Sequence, residues 1–207
     1  SRMTTITLPE GIFRIGSSAF ANCTSLESIT IPESITDIGS CAFYDCKGLE
    51  EIIFNAVNMN DLSSSNYVFY NAGIDGQGIA VKIGKDVTKI PAYLFYPTTS
   101  YLPKITKVIF EENSVCQTIG AYAFAYNKTL TQILIPKSVK LIDKYALYGC
   151  SNAVVGFASD ILPETTGSNW YGSEGTYYLN VRRIMDVDDA LYVIFNDDTA
   201  TFAKYNG

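Results

Sequence analysis

The sequence predicts a β-rich solenoid of the α/β class, in which short coils stack side by side. Segment 8–52 contains the same motif twice, and the second copy starts 23 residues after the first. In each copy an aliphatic-Pro-Glu triplet is followed by Ile-Gly, Ala-Phe and Cys at the same intervals. A period of about 20–29 residues with recurring aliphatic positions is typical of a solenoid, whose coils are stabilised by stacking on their neighbours.

Three registers carry the repeat through six coils. A Phe register recurs at gaps of 23, 26, 26, 29 and 23 residues: Phe20, Phe43, Phe69, Phe95, Phe124 and Leu147. A strand register consists of Leu8, Ile31, Phe54, Ile83, Phe110 and Ile135, and an Ile register of Ile15, Ile38, Ile90, Ile119 and Ile142. We therefore assign a solenoid of about six to seven coils to residues 1–158, with residues 153–158 as a degenerate seventh coil.

Each coil is predicted to contain one short strand. In Ser28-Ile29-Thr30-Ile31 the aliphatic and polar residues alternate, so Ile29 and Ile31 face the core and Ser28 and Thr30 face outward. Pro32 ends the strand. The same alternation gives four further inward pairs: Ile6 and Leu8, Val81 and Ile83, Val108 and Phe110, and Ile133 and Ile135.

The rest of each coil is predicted to form short helices or turns, and the longer coils contain insertions. These insertions fall at residues 55–66, 72–78, 97–103 and 111–116, which are rich in Gly, Pro, Asn and Ser. Insertions of this kind change one face of a solenoid and leave its core unchanged.

Residues 159–207 no longer follow the repeat. An irregular segment surrounds Trp170, and two runs rich in β-branched and aromatic residues, 190–195 and 199–205, flank an Asn/Asp turn. This pattern predicts a β-hairpin. We interpret the hairpin as a cap of the solenoid, or alternatively as the start of a further module.

The repeat resembles that of a known family. The motif L-x-x-I-x-I-P-x-S-I-x-x-I-G-x-x-A-F-x-x-C, read over residues 26–46, is similar to the BspA-like leucine-rich repeat, also called the Treponema pallidum type. The resemblance covers about residues 5–158 and implies a right-handed horseshoe or arc with parallel strands. It also implies an extracellular or cell-surface bacterial protein used in adhesion.

Composition excludes several classes of function. The net charge of −6 argues against a general nucleic-acid binder, and no run of apolar residues is long enough to span a membrane. The charge is unevenly distributed: residues 1–76 carry −6 (three basic, nine acidic), residues 77–150 carry +5 (nine, four) and residues 151–207 carry −5 (three, eight).

Catalytic, metal and cofactor sites are not expected. The chain has no His, which removes Ser-His-Asp and Cys-His nucleophile activation, and it has no CxxC pair. The adjacent carboxylates at 50–51, 111–112 and 197–198 are interpreted as solvated, although a carboxylate pair could in principle hydrolyse a glycoside. Asp186, Asp188 and Asp189 lack the Gly and distal Glu of an EF-hand.

The five cysteines are interpreted as structural. Cys23, Cys46 and Cys150 share one repeat position, which is typical of a small buried residue. A disulfide between Cys23 and Cys46 on adjacent coils stays open at this point, although the odd number of cysteines argues against a complete disulfide framework.

Two rows of residues are candidate binding surfaces. The outward side of the strands, which the resemblance makes concave, combines apolar and polar residues: Ile53, Lys82, Lys107, Ile109, Gln132 and Leu134. An aromatic ladder, two residues before the Phe register, is the alternative surface: Tyr67, Tyr93, Tyr122 and Tyr145. The alternative without a binding function is that the first row is a solvated sheet face and that the tyrosines of the second stack for structural reasons.

We therefore expect a non-catalytic, monomeric module that uses its concave face to bind an extracellular protein or glycan. The second hypothesis is a structural spacer that displays other domains of a larger surface protein. A carbohydrate-active enzyme is the third.

Overall fold

The computed structural model describes residues 4–97, 102–165, 169–172, 176–188 and 190–205, with the side chain of Tyr205 left aside. These residues form strands β1 Thr5–Thr7, β2 Arg14–Ile15, β3 Ser28–Ile31, β4 Asp37–Ile38, β5 Glu51–Phe54, β6 Ile79–Ile83, β7 Lys89–Ile90, β8 Ile105–Phe110, β9 Thr118–Ile119, β10 Gln132–Ile135, β11 Leu141–Ile142, β12 Val154–Phe157, β13 Glu164–Thr165, β14 Tyr177–Tyr178, β15 Val181–Val187, β16 Ala190–Phe195 and β17 Ala200–Tyr205. Residues 98–101 of the predicted insertion 97–103 lie outside the described chain.

One strand from each coil joins a parallel main sheet of eight strands in the order β1-β3-β5-β6-β8-β10-β12-β14. The predicted strand register is confirmed, because Ile31 pairs with Phe54, Phe54 with Ile83 and Ile83 with Phe110. The pairing of β12 with β14 carries this sheet past residue 158, where the recognisable repeat letters end. The β-rich solenoid is therefore confirmed.

The Ile register forms a second, narrower side of the solenoid. Short parallel strands pair in the order β13-β11-β9-β7, and β2 pairs with β4. The five Ile residues of the register are all buried, and each is at most 3% exposed. Each coil is thereby fixed to the core at two places, and this alignment also sets where its turn segment lies.

The core is a column of side chains that repeats from coil to coil. The predicted Phe register stacks ring on ring, with centroids 5.3 Å apart for Phe20–Phe43, 5.1 Å for Phe43–Phe69, and 5.3 Å for Phe69–Phe95 and Phe95–Phe124. Phe43 to Phe124 are buried, whereas Phe20 in the first coil is half-buried. Most of the predicted inward strand residues are buried, and Ile6, Leu8 and Phe110 are half-buried.

The helical part of the α/β prediction is not found: the described residues contain no helix, and the segments after the Ile register form turns. The reason is a pair of left-handed residues four positions apart in most coils, such as Cys41 (φ 57°) and Asp45 (φ 53°), or Tyr122 (φ 55°) and Tyr126 (φ 60°). A right-handed helix cannot contain such residues.

The predicted hairpin is present, but it packs against the main sheet and does not cover the end of the core. Strands β16 and β17 pair antiparallel, and β15 joins them as a third strand. Val181, Leu191 and Val193 of this C-terminal sheet form a small core with Val154 of β12. The C-terminal sheet therefore packs on the outward side of the main sheet, because Leu134 and Val154 offer apolar side chains there.

Aromatic residues stand at the end of the main core. Trp170 and Tyr171 join the main hydrophobic cluster, and the Tyr171 hydroxyl donates to the Ala153 carbonyl oxygen at 2.7 Å. The Leu147 N–H donates to the Trp170 carbonyl at 2.7 Å, as Phe124 N–H does to Ala146 at 2.8 Å. Tyr171 thus continues the Phe register by one more coil.

Candidate functional site

The outward side of the main sheet, which we call the strand face, consists of two rows of residues. One row runs Thr5, Ser28, Glu51, Ala80, Lys107, Gln132 and Val154, and the other contains Thr7, Thr30, Ile53, Lys82 and Ile109, and then Leu134 and Gly156. Neighbouring strands are about 4.8 Å apart, so residues that follow one another in a row are in contact range.

The centre of the strand face mixes apolar and charged side chains. Ile53 pairs with Lys82 and Lys82 with Ile109 across β5, β6 and β8. Ile109 is 45% exposed, which makes it an uncovered aliphatic residue on a sheet. The Lys82 ammonium forms an ion pair with the Glu51 carboxylate in the other row. Because Lys82 is exposed and Glu51 only half-buried, this pair adds little stability, and it orients the Lys82 side chain.

The end of the strand face is already occupied by the C-terminal sheet. Leu134 is half-buried against Val181, Leu191 and Val193, and Gly156 approaches Val181, since a Cβ added to Gly156 would lie 3.2 Å from Val181 Cγ1. Gln132 is half-buried in the neighbouring row. Of the six residues predicted for this surface, Leu134 therefore packs within the protein, and the open part is centred on Ile53, Lys82, Lys107 and Ile109.

The aromatic ladder includes further tyrosines beside the four predicted ones. Tyr93, Tyr122 and Tyr145 stack with centroids 4.9 and 4.8 Å apart. Tyr96, Tyr126 and Tyr148 add edge-to-face contacts between 5.3 and 6.1 Å. Tyr67 contacts Tyr70, which stacks on Tyr44. The pKa of Tyr96 is raised mainly by burial and to a smaller extent by the neighbouring Tyr126 phenol. The pKa of Tyr122 is raised mainly by burial and to a smaller extent by Tyr93.

A group of carboxylates that the sequence analysis did not single out lies beside the first coils. Glu27, Glu50 and Asp75 line a depression of about 350 Å³ together with Thr4, Thr24, Ser25, Gly48 and Gly76. The sequence contained one signal for this group: Glu27 and Glu50 are 23 residues apart, which places them at the same position of successive coils. All three carboxylates are exposed. A glycosidase needs one carboxyl group kept protonated by an apolar environment, which these solvated side chains lack.

Metal binding finds no support in the described part of the chain, where no group of three or more Cys, Asp or Glu is arranged to hold an ion. Asp189 of the aspartate trio lies outside the described residues. Within the same residues, no helix is long and apolar enough to cross a bilayer.

The shared Cys position is structural, as predicted. All five cysteines are free thiols, so Cys23 and Cys46 form no disulfide. The Cys46 thiol donates to the Phe20 carbonyl oxygen at 3.1 Å, and the Cys150 thiol donates to that of Phe124 at 3.0 Å. Asn127 occupies the same position and donates from Nδ2 to the Phe95 carbonyl at 2.9 Å. Each of these side chains thus bonds the Phe-register carbonyl of the preceding coil.

These buried thiols predict a loss of stability at alkaline pH. Burial raises the pKa of Cys46 and Cys150 from an ordinary value near 9 to about 12, and the pKa of Cys116 to about 11. Above pH 9 the unfolded chain therefore releases protons that the folded chain retains, so the free energy of unfolding falls as pH rises toward 12. Urea denaturation at pH 7 and pH 10.5 measures this. A fall that is unchanged in the Cys150→Ala variant would show that this thiol does not contribute.

Comparison with known proteins identifies the repeat. The family model of the BspA type leucine rich repeat region matches residues 1–99 in six copies. This chain carries a BspA-type leucine-rich repeat region. No curated protein sequence matches the chain.

Two solved structures are similar to this chain. A leucine-rich cell surface protein from Faecalibacterium prausnitzii is 19% identical, with a TM-score of 0.39, and the match covers 99% of this chain and 55% of that protein. A leucine-rich repeat protein from Bacteroides ovatus is 17% identical, with a TM-score of 0.33, and the match covers 84% of this chain and 68% of that protein. The chain thus spans about half the length of the first of these proteins.

Proposed function

We propose that this BspA-type chain is a non-catalytic recognition module, extracellular or at the cell surface, that binds a protein through the open part of its strand face. The observation that carries the proposal is the row Ile53, Lys82 and Ile109, in which Ile109 is 45% exposed. Exposed aliphatic residues beside polar ones are typical of contact surfaces.

The C-terminal sheet supports this proposal from within the molecule. The strand face already holds one apolar surface at its end, where Leu134 and Val154 pack against the C-terminal sheet. Ile109 lies on β8, next to β10, which bears Leu134. The open row therefore continues a surface that binds β-structure through its apolar residues.

The chemistry of the two rows favours a protein over a glycan. Glycan-binding sites use open aromatic faces, whereas the two rows from β1 to β12 contain no aromatic residue. A partner with an apolar centre and acidic residues would match Ile53 and Ile109 together with Lys82 and Lys107. The structural spacer, the second hypothesis, requires no uncovered aliphatic residue on this face.

The experiment compares two exposed aliphatic residues. Binding of the purified chain to a panel of extracellular-matrix proteins and to a glycan array identifies a ligand, and Ile109→Asp is then measured beside Val115→Asp. Val115 is 44% exposed but lies outside the strand face, so it is a matched control. We expect Ile109→Asp to weaken protein binding by about tenfold or more, equivalent to about 1.4 kcal/mol, and Val115→Asp to leave it unchanged. Equal affinity of Ile109→Asp and the parent chain, or ligands found only among glycans, would refute the proposal.

A further inference from the structure

The six-tyrosine cluster (Tyr93, Tyr96, Tyr122, Tyr126, Tyr145 and Tyr148) has an unfavourable backbone at four of its positions. Tyr93, Tyr122, Tyr126 and Tyr145 have φ between 55° and 60°. This left-handed conformation disfavours bulky side chains, and Gly or Asn is the usual choice. The equivalent positions in the first coils, Ser18 and Asn22, carry small side chains with the same backbone. The backbone therefore does not require tyrosine at these positions.

The rings of the cluster are ordered by contacts with one another, and each is at least partly exposed. Tyr122 is stacked between Tyr93 and Tyr145, at interplanar angles of 9° and 23°, so both of its faces are covered. Within the described chain, the hydroxyls of Tyr93, Tyr96, Tyr122, Tyr126 and Tyr148 make no hydrogen bond. A sugar stacks on an open ring face, which Tyr122 at the centre of the row does not offer. Ring edges carry partial positive charge and phenol hydroxyls donate hydrogen bonds, so both suit carboxylates and carbonyls.

The charge around the cluster is positive in a protein that is negative overall. The turn segments of coils four to six (91–104, 120–131 and 143–153) contain Lys104, Lys128 and Lys144 against Asp143, a net charge of +2. The turn segments of the first three coils (16–27, 39–50 and 66–78) contain Lys47 against Glu27, Asp45, Glu50 and Asp75, a net charge of −3. Lys128 follows Tyr126 by two residues, is exposed, and has no ion-pair partner among the described residues.

We propose that the six-tyrosine cluster with Lys128 is a second binding site, separate from the strand face, and that its ligand is an acidic, extended segment of a partner protein. The tyrosine hydroxyls donate to the carbonyl and carboxylate oxygens of the segment, and Lys128 neutralises one of its acidic side chains. Tyrosine suits this role because only two side-chain torsions are immobilised on binding, and the ring contacts already restrict them.

The probe is a fluorescein-labelled 15-residue peptide of alternating Glu and Ala, with a peptide of alternating Lys and Ala and a set of neutral oligosaccharides as comparison arms. Binding is measured by fluorescence anisotropy at low and at physiological salt. Because the chain carries a net charge of −6, non-specific electrostatics repels the acidic peptide and attracts the basic one. We expect the acidic peptide to bind more tightly than the basic peptide and the oligosaccharides, and its affinity to fall with salt.

Variants localise the binding. Lys128→Glu reverses an exposed charge and is expected to weaken the acidic peptide by about tenfold. Tyr122→Phe keeps the ring stack and is expected to weaken binding of the acidic peptide severalfold. Tyr44→Phe, in the first coils, and Ile109→Asp, on the strand face, are expected to leave that binding unchanged. The inference is overturned if Lys128→Glu and the parent chain bind equally, if the acidic peptide binds no better than the basic one, or if the oligosaccharides bind in its place. Since Ile109→Asp tests only the strand face, failure of the tyrosine-cluster site can be distinguished from failure of the proposed strand-face site.

Discussion

Phe43→Ala is expected to lower the free energy of unfolding by about 3–5 kcal/mol, the usual cost of removing a buried aromatic ring. The ring of Phe43 is fully buried and stacks on Phe20 at 5.3 Å and on Phe69 at 5.1 Å. Its removal leaves a cavity between two coils, and each coil depends on its neighbours for burial of its core. Urea denaturation followed by circular dichroism measures the change.

Phe13→Ala is the matched control for this prediction. Phe13 is 66% exposed, so removal of its ring creates no cavity, and the change is expected to be within about 0.5 kcal/mol. A loss below about 1 kcal/mol for Phe43→Ala would contradict the placement of Phe43 in a tightly packed aromatic column.

Gly39→Ala is expected to destabilise the protein by about 1–3 kcal/mol, the usual range for overpacking. A Cβ at Gly39 would lie 2.4 Å from the Ser17 N atom and 2.7 Å from the Gly16 carbonyl carbon, both of the preceding coil. These are backbone atoms, which cannot rotate away as a side chain can. The coils would have to separate at the point where Gly39 N–H donates to the Ile15 carbonyl at 2.8 Å.

Gly16→Ala provides an internal comparison at the same repeat position. Nothing lies within 4 Å of a Cβ added to Gly16, and its φ is not in the left-handed region. We expect this variant to be neutral or to gain up to about 1 kcal/mol, because alanine restricts the unfolded chain. Thermal unfolding of the two variants side by side measures the difference, and equal melting temperatures would show that contact between the coils does not constrain this position.

Repetition of letters was sufficient to predict the interior of the solenoid. Because Ile31, Phe54 and Ile83 occupy one position in successive coils, the pairing register of the main sheet followed directly from the sequence. The same reasoning placed Ile53, Lys82 and Ile109 in one outward row. Their role in binding stays a prediction, since position in a row does not determine a partner.

Features that depend on backbone conformation or on distant contacts were not predictable in the same way. Cys41 and Tyr122 have a left-handed φ that their residue types do not signal. The sequence therefore could not distinguish turns from short helices in these segments. The site of the C-terminal sheet depends on the packing of Leu134 and Val154 against Val181, which are far apart in the repeat pattern. Tyr171 was missed as a register residue because it replaces Phe in a segment without the other repeat letters.

The position of the C-terminal sheet also limits the width of the proposed site on the strand face. It contacts β10 and β12, which leaves β1, β3, β5, β6 and β8 for other molecules. At about 4.8 Å per strand these five strands measure about 20 Å across, close to the combined width of two α-helices. A partner bound as proposed would therefore have a footprint of no more than about 20 Å along the stack of coils.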